Sequence, residues 1–301
     1  MTLRGSLIVS FLVAAMLAGP PAGAQETTLH REQSLYRNIF ITQDGDQRCM
    51  LFRARRGLGR ESCKYMHQPD KLVFEYGPMM LSSLYLNAAP KRILIIGLGG
   101  GTLPSALRQM VPNADIDVVE LDEAVYRLAQ KYFDFKPDPK THVFIEDGRV
   151  FVKRMGKQAA KYDLVMLDAF EADYIPEHML TQEFLQEVKA VMTPGGVIAA
   201  NTFSSSALYD HESVTYRAVF GPFFNLKLGN RIIIGRPNGL PPMDAIRANA
   251  VALDAEFKHR GSDTNEMLML FDTSTDWYTK SRLLTDQYSP SNLLNALPRG
   301  N

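Results

Sequence analysis

Short apolar runs alternate with amphipathic stretches through the middle of the chain. Each run is bounded by turn residues, which is typical of strands that are buried on both faces of a sheet. The predicted strands are Ile93–Ile96, Ile116–Glu120, His142–Ile145, Leu164–Leu167 and Val197–Asn201. The clearest predicted helices between them are Glu123–Tyr132 and Gln182–Met192, the second capped by Thr181. This alternation predicts an α/β fold with a doubly wound, mainly parallel sheet.

The pattern differs on either side of this region, which we place at residues 90–237. Residues 25–89 predict a small N-terminal β-rich domain, and residues 238–301 predict a C-terminal helix and tail. In the tail, Leu284–Pro290 forms either a surface loop or a lid over the site. The further predicted elements are strands at Leu35–Ile41 and Cys49–Phe52, a helix beginning near Pro78, a hairpin of Phe224–Leu228 and Arg231–Ile234, and a helix over Met243–Lys258.

Residues 1–24 have the pattern of an export signal. Arg4 precedes an apolar run, Leu7–Leu17, that is too short to span a bilayer comfortably, and Ala22-Gly-Ala24 resembles a cleavage site. The alternative is an ordinary buried helix. The signal predicts a periplasmic or secreted protein with no stable membrane span after cleavage.

The two cysteines, Cys49 and Cys63, flank a glycine-containing segment that looks like the tip of a hairpin. On adjacent strands in an oxidising compartment they could form a disulfide, and the alternative is two unpaired thiols. Lys plus Arg and Asp plus Glu both number 33, so the formal net charge is zero. This balance argues against nucleic acid as a partner and favours a small molecule.

The strand at Ile93–Ile96 ends in the glycines Gly97, Gly99, Gly100 and Gly101. Glycines between a strand and a helix leave bare backbone against which a nucleotide can lie. A tight turn in any α/β protein is the alternative. The next strand ends in Glu120, about twenty residues on, where this kind of fold places an acid on the ribose hydroxyls. Together they predict a Rossmann-like nucleotide site.

Further acids follow the later strands, where a sheet of this type binds its ligands. Asp147, followed by Gly148, could accept a hydrogen bond from an adenine amino group or could simply cap a helix. Asp168 and Glu171 could hold a cationic amine and accept its proton, with a capping role as the alternative for Asp168. Asp286 in the tail is a further candidate. No metal is expected.

Five segments together resemble the spermidine synthases in order and spacing. They are Tyr36–Ile39, Ile95–Gly101, Val118–Asp122, Glu146–Arg149 and Tyr162–Asp168. The resemblance covers about Leu35 to Ile234 and implies a fold of the S-adenosylmethionine-methyltransferase type with a small N-terminal β domain. It implies aminopropyl transfer from decarboxylated S-adenosylmethionine to putrescine, usually in a dimer or tetramer, so a homodimer is expected.

Carried over by position, the resemblance implies that Glu120 binds the ribose, Asp147 binds the adenine and Asp168 deprotonates the attacking amine. Glu171 stands where the family has a second aspartate for the amine. The implied substrate-binding residues also include Tyr36, Arg37 and Tyr76.

The chain departs from the family pattern around the amine. The loop aspartate of the family is Gly100 here, the glutamine after the first tyrosine is Arg37, and a tyrosine-histidine-glutamate is Tyr76-Gly77-Pro78. The first hypothesis is an exported spermidine-synthase-like aminopropyltransferase. The second is an exported protein that binds adenosine or S-adenosylmethionine without this reaction, and the third is methyl transfer, with Arg37 recognising the methionyl carboxylate.

Overall fold

The computed structural model describes residues 26–52, 59–169, 175–202 and 205–299. The predicted signal peptide and Glu171 lie outside these ranges, as do residues 53–58 of the segment between the cysteines. The helices within them are α1 (Tyr76–Leu81), α2 (Thr102–Met110), α3 (Glu123–Tyr132), α4 (Gly148–Lys157), α5 (Gln182–Ala190), α6 (Leu208–Phe220), α7 (Met243–Ala252), α8 (Asp254–His259), α9 (Thr264–Met269) and α10 (Ser291–Ala296). Short 3₁₀ turns occur at Ser82–Tyr85 and Glu177–Met179.

The N-terminal sheet is antiparallel, and its four strands follow one another in chain order. They are β1 (Thr27–Gln33), β2 (Asn38–Asp44), β3 (Gln47–Leu51) and β4 (Arg60–Tyr65). A disulfide joins Cys49 to Cys63 across β3 and β4, in agreement with the pairing expected from the sequence. On one face Ile39, Ile41 and Met50 pack against α3, which ties this sheet to the rest of the molecule.

The second sheet has seven strands in the order β10-β11-β9-β8-β5-β6-β7. These are β5 (Arg92–Ile96), β6 (Asp115–Glu120), β7 (Thr141–Ile145), β8 (Tyr162–Leu167), β9 (Met192–Thr202), β10 (Phe223–Leu228) and β11 (Asn230–Gly235). Strands β5 to β9 are parallel, and the hairpin β10–β11 adds an antiparallel edge. The predicted doubly wound α/β fold with a small N-terminal β sheet is confirmed.

Successive residues of each strand enter two different cores. On β5, Ile93 and Ile95 contact a core built with α1, α2, α7 and α8, whereas Leu94 and Ile96 contact a core built with α4, α5 and α6. Burial on both faces explains why the central strands read as continuous apolar runs. From β5 the chain adds β6 and β7 toward one edge of the sheet, and from β8 it adds the later strands toward the other edge. A crevice therefore opens at the carboxyl ends of the neighbouring strands β5 and β8.

Several predicted element boundaries were wrong, including the start of β9, which was expected at Val197 and lies at Met192. The strand at Leu35–Ile41 begins only at Asn38, because the Ser34 hydroxyl accepts the N–H of Arg37 and closes a turn before it. The helix predicted to reach Met192 ends at Ala190, and Met192 already belongs to β9.

The helix predicted over Met243–Lys258 is divided into α7 and α8 by Leu253, whose ψ of 1° departs from helical values. Across the part of the chain that the structure describes, every helix is too short or too polar to cross a membrane.

Candidate active site

A cavity of about 920 Å³ lies beyond the carboxyl ends of the five parallel strands β5 to β9. Its lining brings together three acids that the sequence singled out, Glu120, Asp147 and Asp168, although they follow three different strands. Strand ends meet at one edge because the strands are parallel, so acids distant in sequence share one cavity. The volume suits a small organic ligand.

Gly97 and Gly99 of the glycine loop lie in this lining. Gly97 has a φ of 104°, and a Cβ at this position would lie 2.1 Å from the carbonyl oxygen of Asp168. Gly97 is therefore required by the close approach of the chain that leaves β8, independently of any ligand. Its N–H donates to the carbonyl oxygen of Val119 at 2.8 Å, which fixes the start of the loop.

Gly100 and Gly101 lie outside this lining, which differs from the sequence interpretation that all four glycines border the ligand. A Cβ on Gly100 would lie 2.8 Å from Ser62 Oγ and 2.9 Å from the ring of Phe133, and one on Gly101 would lie 2.6 Å from the ring of Phe135. Both glycines face a smaller cavity of about 250 Å³ behind the loop. Their lack of side chains is explained by packing against the protein itself.

The Glu120 carboxylate bridges the glycine loop and the segment after β6. It accepts the N–H of Leu98 at 3.1 Å and the N–H of Asp122 at 3.0 Å. Burial raises the pKa of Glu120, and these two donors together with the charge of Arg37 act in the opposite direction. The side chain is held in place within the cavity lining, and its role as a ribose ligand stays a prediction.

Asp147 combines the two roles that its sequence position left open. It is the N-cap of α4, since its carboxylate accepts the N–H of Val150 at 2.9 Å, and it also lines the cavity. Its other oxygen lies 2.9 Å from His178 Nε2. Burial opposes ionisation, but the hydrogen bonds from Val150 and His178 hold the pKa of Asp147 below its usual value. A Cβ on the next residue, Gly148, would lie 2.5 Å from the side chain of Ile96.

Asp168 has a raised pKa, which suits a residue that accepts a proton during a reaction. Its N–H donates to the carbonyl oxygen of Ile96 at 2.8 Å, and its carboxylate accepts the Asn201 amide at 3.0 Å and the Tyr76 hydroxyl. Burial raises the pKa of Asp168 to about 6, and the two donors act in the opposite direction. A carboxylate with this pKa is largely ionised at neutral pH and is a stronger base than an exposed aspartate.

Tyr76 and Asn201 orient this carboxylate. Burial first, and the negative charges of Asp168 and Glu61 next, raise the pKa of Tyr76 well above its usual value, so the phenol stays neutral and donates its proton. The Asn201 side-chain oxygen accepts the Asn230 amide at 3.1 Å, which leaves its own amide free to point at Asp168. The base is thus held by groups from α1, β9 and β11.

Arg37 and Tyr36 differ in placement. Arg37 lines the cavity, with its guanidinium 4.5 Å from the centre of the Phe52 ring and its Nε 4.0 Å from Asp122. Tyr36 is 53% exposed and does not line the cavity, so the expectation that it contacts the substrate is not supported by its position.

Asp286 does not line the cavity either. It forms a two-pronged ion pair with Arg149, at 2.6 and 2.7 Å, and accepts the Thr181 hydroxyl at 2.7 Å. Its contacts attach the tail to α4 and to the start of α5. Residues Leu284–Pro290 therefore form a surface loop, anchored by the buried Leu284, and they are not a lid over the cavity.

The chain beyond this tail does reach the site. Residues 295–298 line the cavity, and the Leu297 carbonyl oxygen accepts the N–H of Ala207 at 2.9 Å. The Asn292 amide donates to the carbonyl oxygen of Ile175 at 3.1 Å and to Glu177 Oε1 at 3.1 Å. The C-terminal segment thus forms one wall of the cavity.

Sequence reasoning missed several residues of the lining. Asn201 ends a predicted strand and could have been found if amides as well as acids had been considered at strand ends. Glu61, His178 and the C-terminal segment carry no signal of this kind, because they reach the cavity from the other sheet and from distant turns. No group of three or more histidine, cysteine or acidic side chains in the described ranges is arranged to hold a metal ion.

Comparison with known proteins agrees with this geometry. The family model of the Spermine/spermidine synthase domain matches residues 75–222. The chain is 43% identical over 293 residues to the polyamine aminopropyltransferase of Vibrio vulnificus strain CMCP6, which covers 96% of this chain and 98% of the relative.

Two solved structures share the fold. A probable spermidine synthase from Corynebacterium glutamicum superposes with a TM-score of 0.63 at 20% identity, over 84% of this chain and 98% of that chain. Human Methyltransferase-like protein 13 in complex with SAH superposes with a TM-score of 0.54 at 25% identity, over 73% of this chain and 100% of that chain. From the near full-length similarity to the Vibrio enzyme and the matching domain, we conclude that the chain belongs to the spermine/spermidine synthase family, a family of aminopropyl-transferring enzymes.

Proposed function

We propose that this protein transfers an aminopropyl group from decarboxylated S-adenosylmethionine to an amine, with putrescine as the first candidate acceptor. The observation that carries the proposal is the placement of Asp168, a half-buried base with a pKa of about 6, in the same cavity as the glycine loop. Family membership supports the reaction class.

In this reaction the nitrogen lone pair of the neutral amine attacks the donor carbon next to the sulfonium. A C–N bond forms, the C–S bond breaks with its electron pair passing to sulfur, and methylthioadenosine leaves. The proton of the attacking nitrogen passes to the Asp168 carboxylate. Tyr76 and Asn201 hold that carboxylate in place, so that much of the barrier reduction comes from positioning.

The residues present fit an adenosine-type donor. Glu120 stands at the end of β6 for the ribose hydroxyls, Asp147 at the end of β7 for the adenine amino group, and the backbone at Gly97 and Gly99 for close contact with the nucleoside. The remaining volume near Asp168 and Tyr76 is left for the aminopropyl group and the acceptor.

Turnover tests the proposal directly. Purified protein incubated with decarboxylated S-adenosylmethionine and putrescine should release methylthioadenosine and spermidine, and Asp168→Asn should lower kcat by roughly 10²- to 10⁴-fold. Asp115→Asn, which neutralises an exposed acid at the far end of β6, serves as the control and should keep full activity. No release with putrescine or other diamines would overturn the proposal.

A second candidate is binding or methyl transfer with S-adenosylmethionine itself. It is favoured by Arg37, whose guanidinium lines the cavity and could pair with the methionyl carboxylate. Supplying both donors separately decides between them. Methylthioadenosine from the decarboxylated donor supports aminopropyl transfer, S-adenosylhomocysteine from the other supports methyl transfer, and tight binding without product supports a binding protein.

We also propose that the protein is exported and works as a homodimer. Export rests on the pattern of Arg4, Leu7–Leu17 and Ala22–Ala24, and the disulfide between Cys49 and Cys63 is of the kind that persists in oxidising compartments. A mature N-terminus at Gln25 in the periplasmic or secreted fraction is the expected result, and the intact N-terminus in the cytosol would contradict export. Light scattering at several protein concentrations measures the oligomeric state, and a dimer is the expected result.

A further inference from the structure

His178 and Asp147 form a hydrogen-bonded pair in the lining of the large cavity. The imidazole Nε2 lies 2.9 Å from Asp147 Oδ2, and the two side chains are 47% and 29% exposed. Asp147 follows β7, whereas the base Asp168 follows β8, and these strands lie three positions apart in the sheet, about 14 Å. The pair therefore belongs to a different part of the cavity from the base.

Both oxygens of the Asp147 carboxylate are engaged by the protein. Oδ1 accepts the N–H of Val150 at the start of α4, at 2.9 Å, and Oδ2 contacts His178. One contact would leave the carboxylate free to turn about its last bond, whereas contacts on both oxygens fix its plane. An ionised carboxylate has about four acceptor positions, so capacity remains for a ligand.

The pair presents an acceptor, and not a donor, to the cavity. Burial opposes ionisation of Asp147, but the hydrogen bonds from Val150 and His178 keep its pKa below the usual value. Because an ionised carboxylate has no hydrogen to give, the hydrogen between the two side chains is carried by His178 Nε2. An amino group on a purine can donate to this carboxylate, whereas a carbonyl oxygen in the same place would be repelled.

The turn that carries His178 is anchored before any ligand binds. Its carbonyl oxygen accepts Arg149 Nη1 at 3.0 Å, and Arg149 is itself held by ion pairs with Glu187 and Asp286. The next residue, Met179, is 3% exposed and packs into the core beside α4 and α5. An imidazole placed in advance lowers the entropy lost when the ligand is bound.

We infer that His178 is a positioning residue that acts through Asp147 and makes the cavity selective for a 6-amino purine over a 6-oxo purine. The inference rests on the proposed function and deepens it, because it identifies what selects the base of the nucleoside donor. His178 fixes the direction in which Asp147 accepts the amino hydrogen. A carboxylate that faces a carbonyl oxygen in place of an amino group is left without a donor, which costs more than one lost contact.

Calorimetry on the full chain with methylthioadenosine and methylthioinosine measures this selectivity, since the two nucleosides differ only in the amino or oxo group of the purine. The wild-type protein should prefer methylthioadenosine. His178→Ala should weaken binding of methylthioadenosine by roughly 10-fold and change binding of methylthioinosine by less than about twofold. His178→Gln, whose amide can donate to Asp147, should recover part of the loss. His259→Ala is the matched control, because His259 pairs with Asp70 at 3.1 Å outside the cavity lining.

A double-mutant cycle tests whether His178 acts through Asp147 or contacts the purine itself. Asp147→Asn keeps a residue that caps helices well, so α4 should keep its first turn. If His178 acts through the carboxylate, His178→Ala should have little effect on methylthioadenosine binding in the Asp147→Asn background. A loss of the same size in both backgrounds would overturn the inference.

Steady-state kinetics give a second readout. His178→Ala should raise KM for the decarboxylated donor by roughly 10-fold and change kcat by less than about twofold. This split is expected because Asp168 is held by Tyr76 and Asn201 and not by the turn of His178. A fall in kcat with unchanged affinity for the donor would contradict a role in base selection.

The outcomes separate this inference from the proposed function. A wild-type preference for methylthioadenosine that is lost in His178→Ala supports the inference even if the protein turns over no amine. Wild-type turnover with the preference unchanged in His178→Ala overturns the inference alone. Equal weakening of both nucleosides also overturns it, because that would indicate general damage to the cavity. A wild-type protein that binds both nucleosides equally well, or neither, overturns it as well.

Discussion

Asp168→Asn is expected to stabilise the protein at neutral pH while it lowers turnover. Burial raises the pKa of this carboxyl from 3.8 to about 6, so the folded protein binds the proton more tightly than the unfolded chain does. The stabilisation from that proton is fully present below pH 3.8 and is lost as the pH rises through about 6. Above this range the wild-type protein carries a half-buried charge that the amide variant avoids.

The size of the effect follows from the shift. A change from 3.8 to about 6 corresponds to about 3 kcal/mol in the free energy of unfolding. Water in the cavity screens part of the charge, so we expect a gain of roughly 1–3 kcal/mol for Asp168→Asn at neutral pH and almost none at about pH 4. The same titration predicts that kcat/KM of the wild-type enzyme falls below about pH 6, as one proton is taken up.

Urea unfolding of both proteins at the two pH values measures the difference. Asp115→Asn is the matched control, because it removes an exposed acid and should change the free energy of unfolding little at either pH. If Asp168→Asn is equally stable or less stable than the wild-type protein at neutral pH, the claim that burial destabilises the ionised carboxylate is refuted. This result would also remove the physical reason for its raised pKa.

Three further changes test other parts of the structure. Asp286→Asn should lower the free energy of unfolding by about 1 kcal/mol at neutral pH. Because Arg149 lowers the pKa of Asp286 to about 2, the difference should disappear as the pH falls from 3.8 to about 2, as pH-dependent melting would show. Replacing Cys49 and Cys63 by serine should cost about 3 kcal/mol, since the bridge joins residues separated by 14 positions, and chemical unfolding beside the wild-type protein measures this. Gly100→Asp should destabilise by roughly 1–3 kcal/mol and should not raise activity, because its side chain would meet the Phe133 ring; a higher kcat/KM would contradict this placement.

The central fold could be predicted from local pattern alone. The apolar run at Ile93–Ile96 and those that follow it mark strands buried on both faces, and their alternation with helices leaves few arrangements other than a doubly wound sheet. Boundaries were less certain. The turn at Ser34 and the bend at Leu253 depend on side-chain hydrogen bonds and on small changes in backbone angle that periodicity does not encode.

The candidate site was predicted only on the side built by strand ends. Glu120, Asp147 and Asp168 could be found because parallel strands bring their carboxyl ends to one edge, a rule that sequence order is enough to apply. The expectation that all four glycines of the loop border the ligand was wrong for two of them. Gly100 and Gly101 look from the sequence like bare backbone for a ligand, but they face Phe133 and Phe135.

The sequence by itself determined the fold class and the acids at the strand ends, because each depends on local periodicity or on a fixed topological rule. The pairing of the two cysteines stayed open until the structure showed the disulfide. Only the tertiary structure decided which groups face those acids. Glu61 from the other sheet and residues 295–298 from the end of the chain complete the cavity through contacts between segments far apart in sequence. The raised pKa of Asp168 has the same origin, since burial is a property of the packed molecule and not of the residue or its neighbours in the chain.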